Sequence, residues 1–139
     1  MLFQKQAFRH NPANNSFGDC HRTCIANMLD LNRDTVPNWG VHYDDTYEFN
    51  KAAAEFLASH KLKEIAFSYE CSQEAIHNYM KISNPNTYYL LGGKSPRGTN
   101  HVVNCFNGEM IWDTAIDGGG LVAPYEDGSY VVYVLTPLL

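Results

Sequence analysis

The spacing of apolar residues is mostly helical before Thr87 and strand-like after it, and that change restricts the fold more than any other feature of the chain. Cys20, Cys24, Met28 and Leu31 share one side, widened by Ile25 and Leu29, which predicts a helix from about Asp19 to Leu31. Phe49, Ala52, Ala53, Phe56 and Leu57 keep the i, i+3, i+4, i+7, i+8 spacing of a second helix, with Thr46 as its expected cap. Leu62 to Tyr69 reads as a strand, and Ser72 caps a short helix carrying Ile76, Tyr79 and Met80. Beyond Thr87 the reading is β. Tyr88 to Leu91 is a strand ended by Gly92-Gly93, and His101 to Phe106 is another. Asn107-Gly108 is a strong hairpin signal, and Glu109 to Asp113 returns antiparallel. Gly118-Gly119-Gly120 reads as a flexible loop, and Tyr130 to Thr136 as a last apolar strand. Helices followed by antiparallel strands give an α+β fold. A length of 139 residues suits one domain, 1–139, with its own core.

Charge narrows the partners. The chain carries 15 acidic and 10 basic residues, net −5, with no basic cluster. That argues against nucleic acid or an anionic membrane as the main partner. No apolar run has the length of a membrane span. Met1-Leu2-Phe3-Gln4-Lys5-Gln6 lacks the apolar stretch of a secretory signal, so a cytoplasmic location is expected. The four cysteines are then expected as thiols.

Cys20 is the residue that points to chemistry. It follows Ser16-Phe17-Gly18-Asp19 and opens the first predicted helix. A helix N-terminus carries partial positive charge and unpaired N–H groups, which favour a thiolate. His101 opens a strand and Asp113 ends the next one. With Asn107-Gly108 at the turn, Asn104 is expected opposite Ile111, Val103 opposite Trp112 and Val102 opposite Asp113, leaving His101 diagonal to Asp113. Cys20, His101 and Asp113 can thus form a thiol–imidazole–carboxylate triad: nucleophile, acid/base and orienting group. Cys24, Cys71 and Cys105 read as structural thiols, His21 and His77 as helix-face residues, and His10 and His42 as loop residues.

A zinc site is the competing chemistry. Cys20 and Cys24 lie one helical turn apart. His101 and Cys105 sit about 13 Å apart on an extended strand at roughly 3.3 Å per residue, too far for one ion with bonds of about 2.0–2.3 Å. A set of Cys20, Cys24, His101 and Asp113 stays open as the alternative.

Two stretches carry a family resemblance. Gly18-Asp19-Cys20-His21-Arg22-Thr23-Cys24-Ile25-Ala26-Asn27-Met28-Leu29, followed by Asp34-Thr35-Val36-Pro37-Asn38-Trp39, resembles the nucleophile helix of a group of small papain-like proteins of phages and bacteria. Ser95-Pro96-Arg97-Gly98, His101-Val102-Val103, Asn107-Gly108-Glu109 and Trp112-Asp113 are similar to the same group's second half. The His-Val-Val and Asp elements are shared more loosely with bacteriocin-processing cysteine peptidases. The middle of the chain, 40–93, matches only in its helix–strand pattern.

The resemblance implies a papain-like fold, with an N-terminal nucleophile helix packed on an antiparallel sheet that supplies His101 and Asp113. It implies cleavage of an amide or acyl bond through a cysteine thioester, with no cofactor and no metal. It also implies an upstream glutamine as oxyanion donor. Gln6, in Gln6-Ala7-Phe8-Arg9, fits best, with Gln4, Asn14 and Asn15 as rivals. Two positions depart from the pattern. Thr114 replaces a proline, which is expected to loosen the following loop. Asp19 replaces an asparagine, and its charge is expected to raise the Cys20 pKa.

The expected partner is a small-molecule or peptide or protein substrate with an amide bond. A small or terminal one is favoured, because so short a chain leaves little material for a long cleft. An acyltransferase on the same scaffold is one alternative. A phage protein that sequesters a host factor in the host cytoplasm is another, with Trp39 and Trp112 as its cleft aromatics.

Overall fold

The computed structural model describes residues 1–139. The elements run α1 (Cys20–Met28), α2 (Thr46–Ser59), β1 (Leu62–Tyr69), α3 (Gln73–Ser83), β2 (Tyr88–Lys94), β3 (Asn100–Phe106), β4 (Glu109–Trp112) and β5 (Tyr130–Pro137), with short 3-10 turns between them. All strand pairs are antiparallel, in the order β1-β5-β2-β3-β4. The chain is therefore α+β. No helix is long and apolar enough to cross a membrane.

Period-two alternation divides the sheet between two cores. On one face Leu90 and Val102 pack with Cys24, Ile25 and Ala26 of α1 and with Ala53 and Leu57 of α2; Trp39 and Val36 complete the cluster. On the other face Tyr89, Leu91, Val103, Cys105, Tyr130 and Val132 pack with Ile76 and Met80 of α3. The result is three layers, with the sheet between α1 and α2 on one face and α3 on the other; every α1 residue from His21 to Asn27 is buried. That helix cannot shift without disturbing the core, so its first residue, Cys20, is held in a fixed place.

Several boundaries differ from the sequence expectation. Asp19 is the N-cap residue of α1, and the helix ends at Met28, because Asp30 takes a left-handed φ of 56°. At α2 the cap is Asp45, whose carboxylate accepts from the Glu48 N–H at 3.1 Å, so Thr46 becomes the first helical residue. Ser72 caps α3 as expected. β2 does not stop at the glycines. Gly92 pairs with Val102 and Val131, and Gly93 with His101. These glycines admit close neighbours rather than a turn: a Cβ on Gly92 would lie 2.2 Å from the Tyr125 hydroxyl.

The register of the β3–β4 hairpin is also corrected. Phe106 faces Glu109 and Cys105 faces Met110, but Asn104 faces Trp112. Ile111 is a bulge. In the unbulged register Asp113 would lie opposite Val102 and share that residue's face, away from the face of His101. The extra residue shifts Asp113, just past the end of β4, by one position relative to that register.

Candidate active site

His101 Nε2 and Asp113 Oδ1 are 2.6 Å apart and both residues are buried. The Asp113 carboxylate also accepts from the Ala115 N–H at 2.9 Å and the Gly120 N–H at 2.8 Å. These three donors, acting against burial, hold the carboxyl down at about 2. Residues 113–120 are thus pinned rather than loosened. Thr114 is fully buried, and its carbonyl accepts from the Gln6 N–H at 2.8 Å. Positive φ at Gly118, Gly119 and Gly120 lets the backbone return to Asp113, so the expected flexible loop is a support for the carboxylate.

Cys20 stands at the first position of α1 and is partly exposed to a cleft. Its thiol lies within interaction range of the His101 imidazole. Since Nε2 is committed to Asp113, Nδ1 is the nitrogen left for sulfur. Burial pushes the thiol up. His101, by hydrogen bond and charge, together with a Val102 backbone hydrogen bond and His21, outweighs it, and the net direction is down from 9.0. Burial pulls the imidazole down, but Asp113 and Cys20 raise it to about 9. Both shifts run in the direction of a thiolate–imidazolium pair.

The other three thiols separate from Cys20. Burial raises Cys24 well above the ordinary thiol value, and it raises Cys105 as well. Cys71 is exposed, so it is not a structural thiol; it lies in the turn before α3, outside both cores. No three His, Cys, Asp or Glu side chains come together in a way that could hold a metal ion, so the set of Cys20, Cys24, His101 and Asp113 does not assemble as ligands. Cys24 instead points its sulfur at the Val102 carbonyl, 3.6 Å away.

Asp19 does not act as an unpaired charge beside Cys20. It forms a buried ion pair with Arg22 at 2.8 Å and accepts from the Ala7 N–H at 3.1 Å and the Phe8 N–H at 3.0 Å. The expected upward push on the thiol is therefore answered by Arg22, and Asp19 instead ties the N-terminal segment to α1. Gln6 rides on that segment and lines the cleft. Its amide nitrogen donates to the Phe8 carbonyl at 2.6 Å, while its Oε1 is buried without a partner. Of its rivals, Gln4 is structural, bonded to Asn27, Leu31 and Arg33. Asn14 and Asn15 close the 3-10 turn Pro12–Asn14.

Several residues near the site were not legible as such. His21 lies on a face of α1, and that face is turned inward. Its Nε2 bonds Glu64 of β1 at 2.9 Å and its Nδ1 accepts from the Trp39 indole at 3.0 Å. An indole N–H can only donate, so this bond places the ring proton on Nε2. His10 accepts from the Gly18 N–H at 3.1 Å and lines the cleft. Tyr125 and Tyr133 line it as well. Trp39 and Trp112, by contrast, are not cleft aromatics. Trp39 is core, and Trp112 packs on Phe3 and under Lys5, its indole bonded to the Gln4 carbonyl.

The cleft is larger than the length of the chain suggested, about 1370 Å³. Typical small-molecule sites occupy roughly 300–1,000 Å³. One wall is a single face of α2, formed by Phe49, Ala53, Ala54, Leu57 and Ala58. No family model, curated protein or solved structure matches this chain.

Proposed function

We propose that this chain is a papain-like cysteine hydrolase that cleaves an amide or related acyl bond through a thioester on Cys20. One observation carries the reading: a thiol at a helix N-terminus stands beside an imidazole whose far nitrogen is held at 2.6 Å by a buried carboxylate. The motif resemblance around Cys20, His101 and Asp113 supports the same reading. The Cys20 thiolate attacks the carbonyl carbon. The His101 imidazolium gives its proton to the leaving nitrogen. The neutral ring then takes a proton from the water that opens the thioester, while Asp113 keeps the imidazole in place. No cofactor enters these steps. An amine in place of that water would make the enzyme an acyltransferase. The cleft volume favours a substrate longer than one amino-acid residue, such as a peptide or an acylated chain.

The test uses p-nitrophenyl acetate as a generic acyl donor. A nitrophenolate burst with an acetyl adduct mapped to Cys20 by intact mass and peptide analysis is expected, absent in Cys20→Ala. Adding a primary amine then separates hydrolysis from transfer. No adduct on Cys20, or the same burst in folded Cys20→Ala, overturns the reading.

A further inference from the structure

Oxyanion stabilisation needs donors aimed at the carbonyl oxygen as its charge develops. The backbone N–H at the start of α1 is one such donor. Gln6 is the rival donor: it lines the cleft, and the bond of its amide nitrogen to the Phe8 carbonyl at 2.6 Å uses one of its two N–H groups. A different hydroxyl, that of Tyr125, lines the same cleft as the nucleophile. The Cys20 thiol lies near the backbone of Val102, and Val102 faces Gly92 across the β2–β3 ladder. The Tyr125 hydroxyl fills the space over Gly92, only 2.2 Å from where a Cβ would stand. Three adjacent positions thus align: sulfur near Val102, Val102 beside Gly92, and a phenol capping Gly92.

The phenol is held in place from several sides. Its loop is closed by the Tyr125 N–H to the Ser129 carbonyl and the Gly128 N–H to the Tyr125 carbonyl, at 2.8 and 2.9 Å. Lys94 reaches across to Glu126 at 3.0 Å. Its hydroxyl lies beside that of Tyr133, a strand residue of the same cleft, and a phenol oxygen can accept from one neighbour while its own O–H donates to another. Burial and these neighbours keep Tyr125 protonated and able to donate.

Resting on the cysteine-hydrolase reading above, we infer that Tyr125 is a catalytic residue whose hydroxyl donates to the oxyanion of the tetrahedral intermediate, with Tyr133 as the positioning residue that holds it. When the C–S bond forms, the carbonyl π pair moves onto oxygen, and the Tyr125 O–H supplies a hydrogen bond to it. When the pair returns, the leaving group departs with its bonding electrons. The Tyr125 proton does not transfer.

Two reagents separate this role from thiolate activation. Acylation by p-nitrophenyl acetate passes through an oxyanion. Alkylation by iodoacetamide is a direct displacement and does not. Tyr125→Phe should slow Cys20 acylation about a hundredfold, the usual loss for one such donor, while alkylation stays within about twofold. Gly92→Ala, which displaces the hydroxyl from below, should show the same split. Equal slowing of both reactions in Tyr125→Phe would mean that Tyr125 merely supports the site. Unchanged acylation, or a Gln6→Ala variant that alone shows the split, would overturn the assignment. Failure of the wild-type chain to acylate at all would instead strike the hydrolase reading itself.

Discussion

Replacing Asp19 by Asn should unfold much of what holds the site, although it changes only one atom. The Asp19 side chain is fully buried and that of Arg22 is 7% exposed. Oδ2 accepts from Ala7 N–H, Arg22 Nε and Arg22 Nη2, and Oδ1 accepts from Phe8 N–H. An amide has one oxygen. Its NH₂ group would face either Phe8 N–H or the three donors on the other side, and Arg22 would stay charged and unpaired. Removing one partner of a buried ion pair costs about 3–5 kcal/mol. For a chain of this size that corresponds to a drop of about 10 °C or more in Tm. Urea unfolding gives the free energy, and hydrogen exchange at Ala7 and Phe8 shows whether the N-terminal segment has come away. A variant within about 1 kcal/mol of wild type, with both amides still protected, would refute the reasoning.

Two more outcomes follow from the same geometry. Iodoacetamide at pH 6–7 should label Cys20 faster than exposed Cys71 and leave buried Cys24 and Cys105 untouched in the native protein; peptide mapping checks the order, and Cys71 labelling first would contradict it. The Asp113 carboxyl titrates at about 2 when folded, below its unfolded value of about 3.9. Its contribution is therefore complete above pH 4 and lost as pH falls toward 2, a loss of about 2 kcal/mol by urea unfolding that Asp113→Asn should not show.

The sequence was most legible where the determinants are local. The periods of α2 and β1, the Ser72 cap and the Asn107-Gly108 turn depend on neighbours a few residues away, and each stands where its pattern put it. Cys20, His101 and Asp113 were found by residue type and position, but their juxtaposition depends on the bulge at Ile111, which leaves no mark in the pattern. Asp19 was read with the wrong effect, because its charge is visible in the sequence and its burial against Arg22 is not. The partners of His21 are hidden for a similar reason: Glu64 and Trp39 reach it through the tertiary fold. Tyr125 lies in a polar loop without period, and only the Gly92 notch reveals where its hydroxyl goes.

The thiolate–imidazolium pair is tested most directly by titrating Cys20 through its absorbance near 240 nm, with the Cys20→Ala spectrum subtracted to remove the other thiols. In the wild-type chain the thiolate should appear with a midpoint below 9.0. In His101→Ala the burial of the thiol remains without its partner, so the midpoint should move above 9.0. The same midpoint in both proteins would contradict the pairing of Cys20 with His101, and with it the proposed reaction.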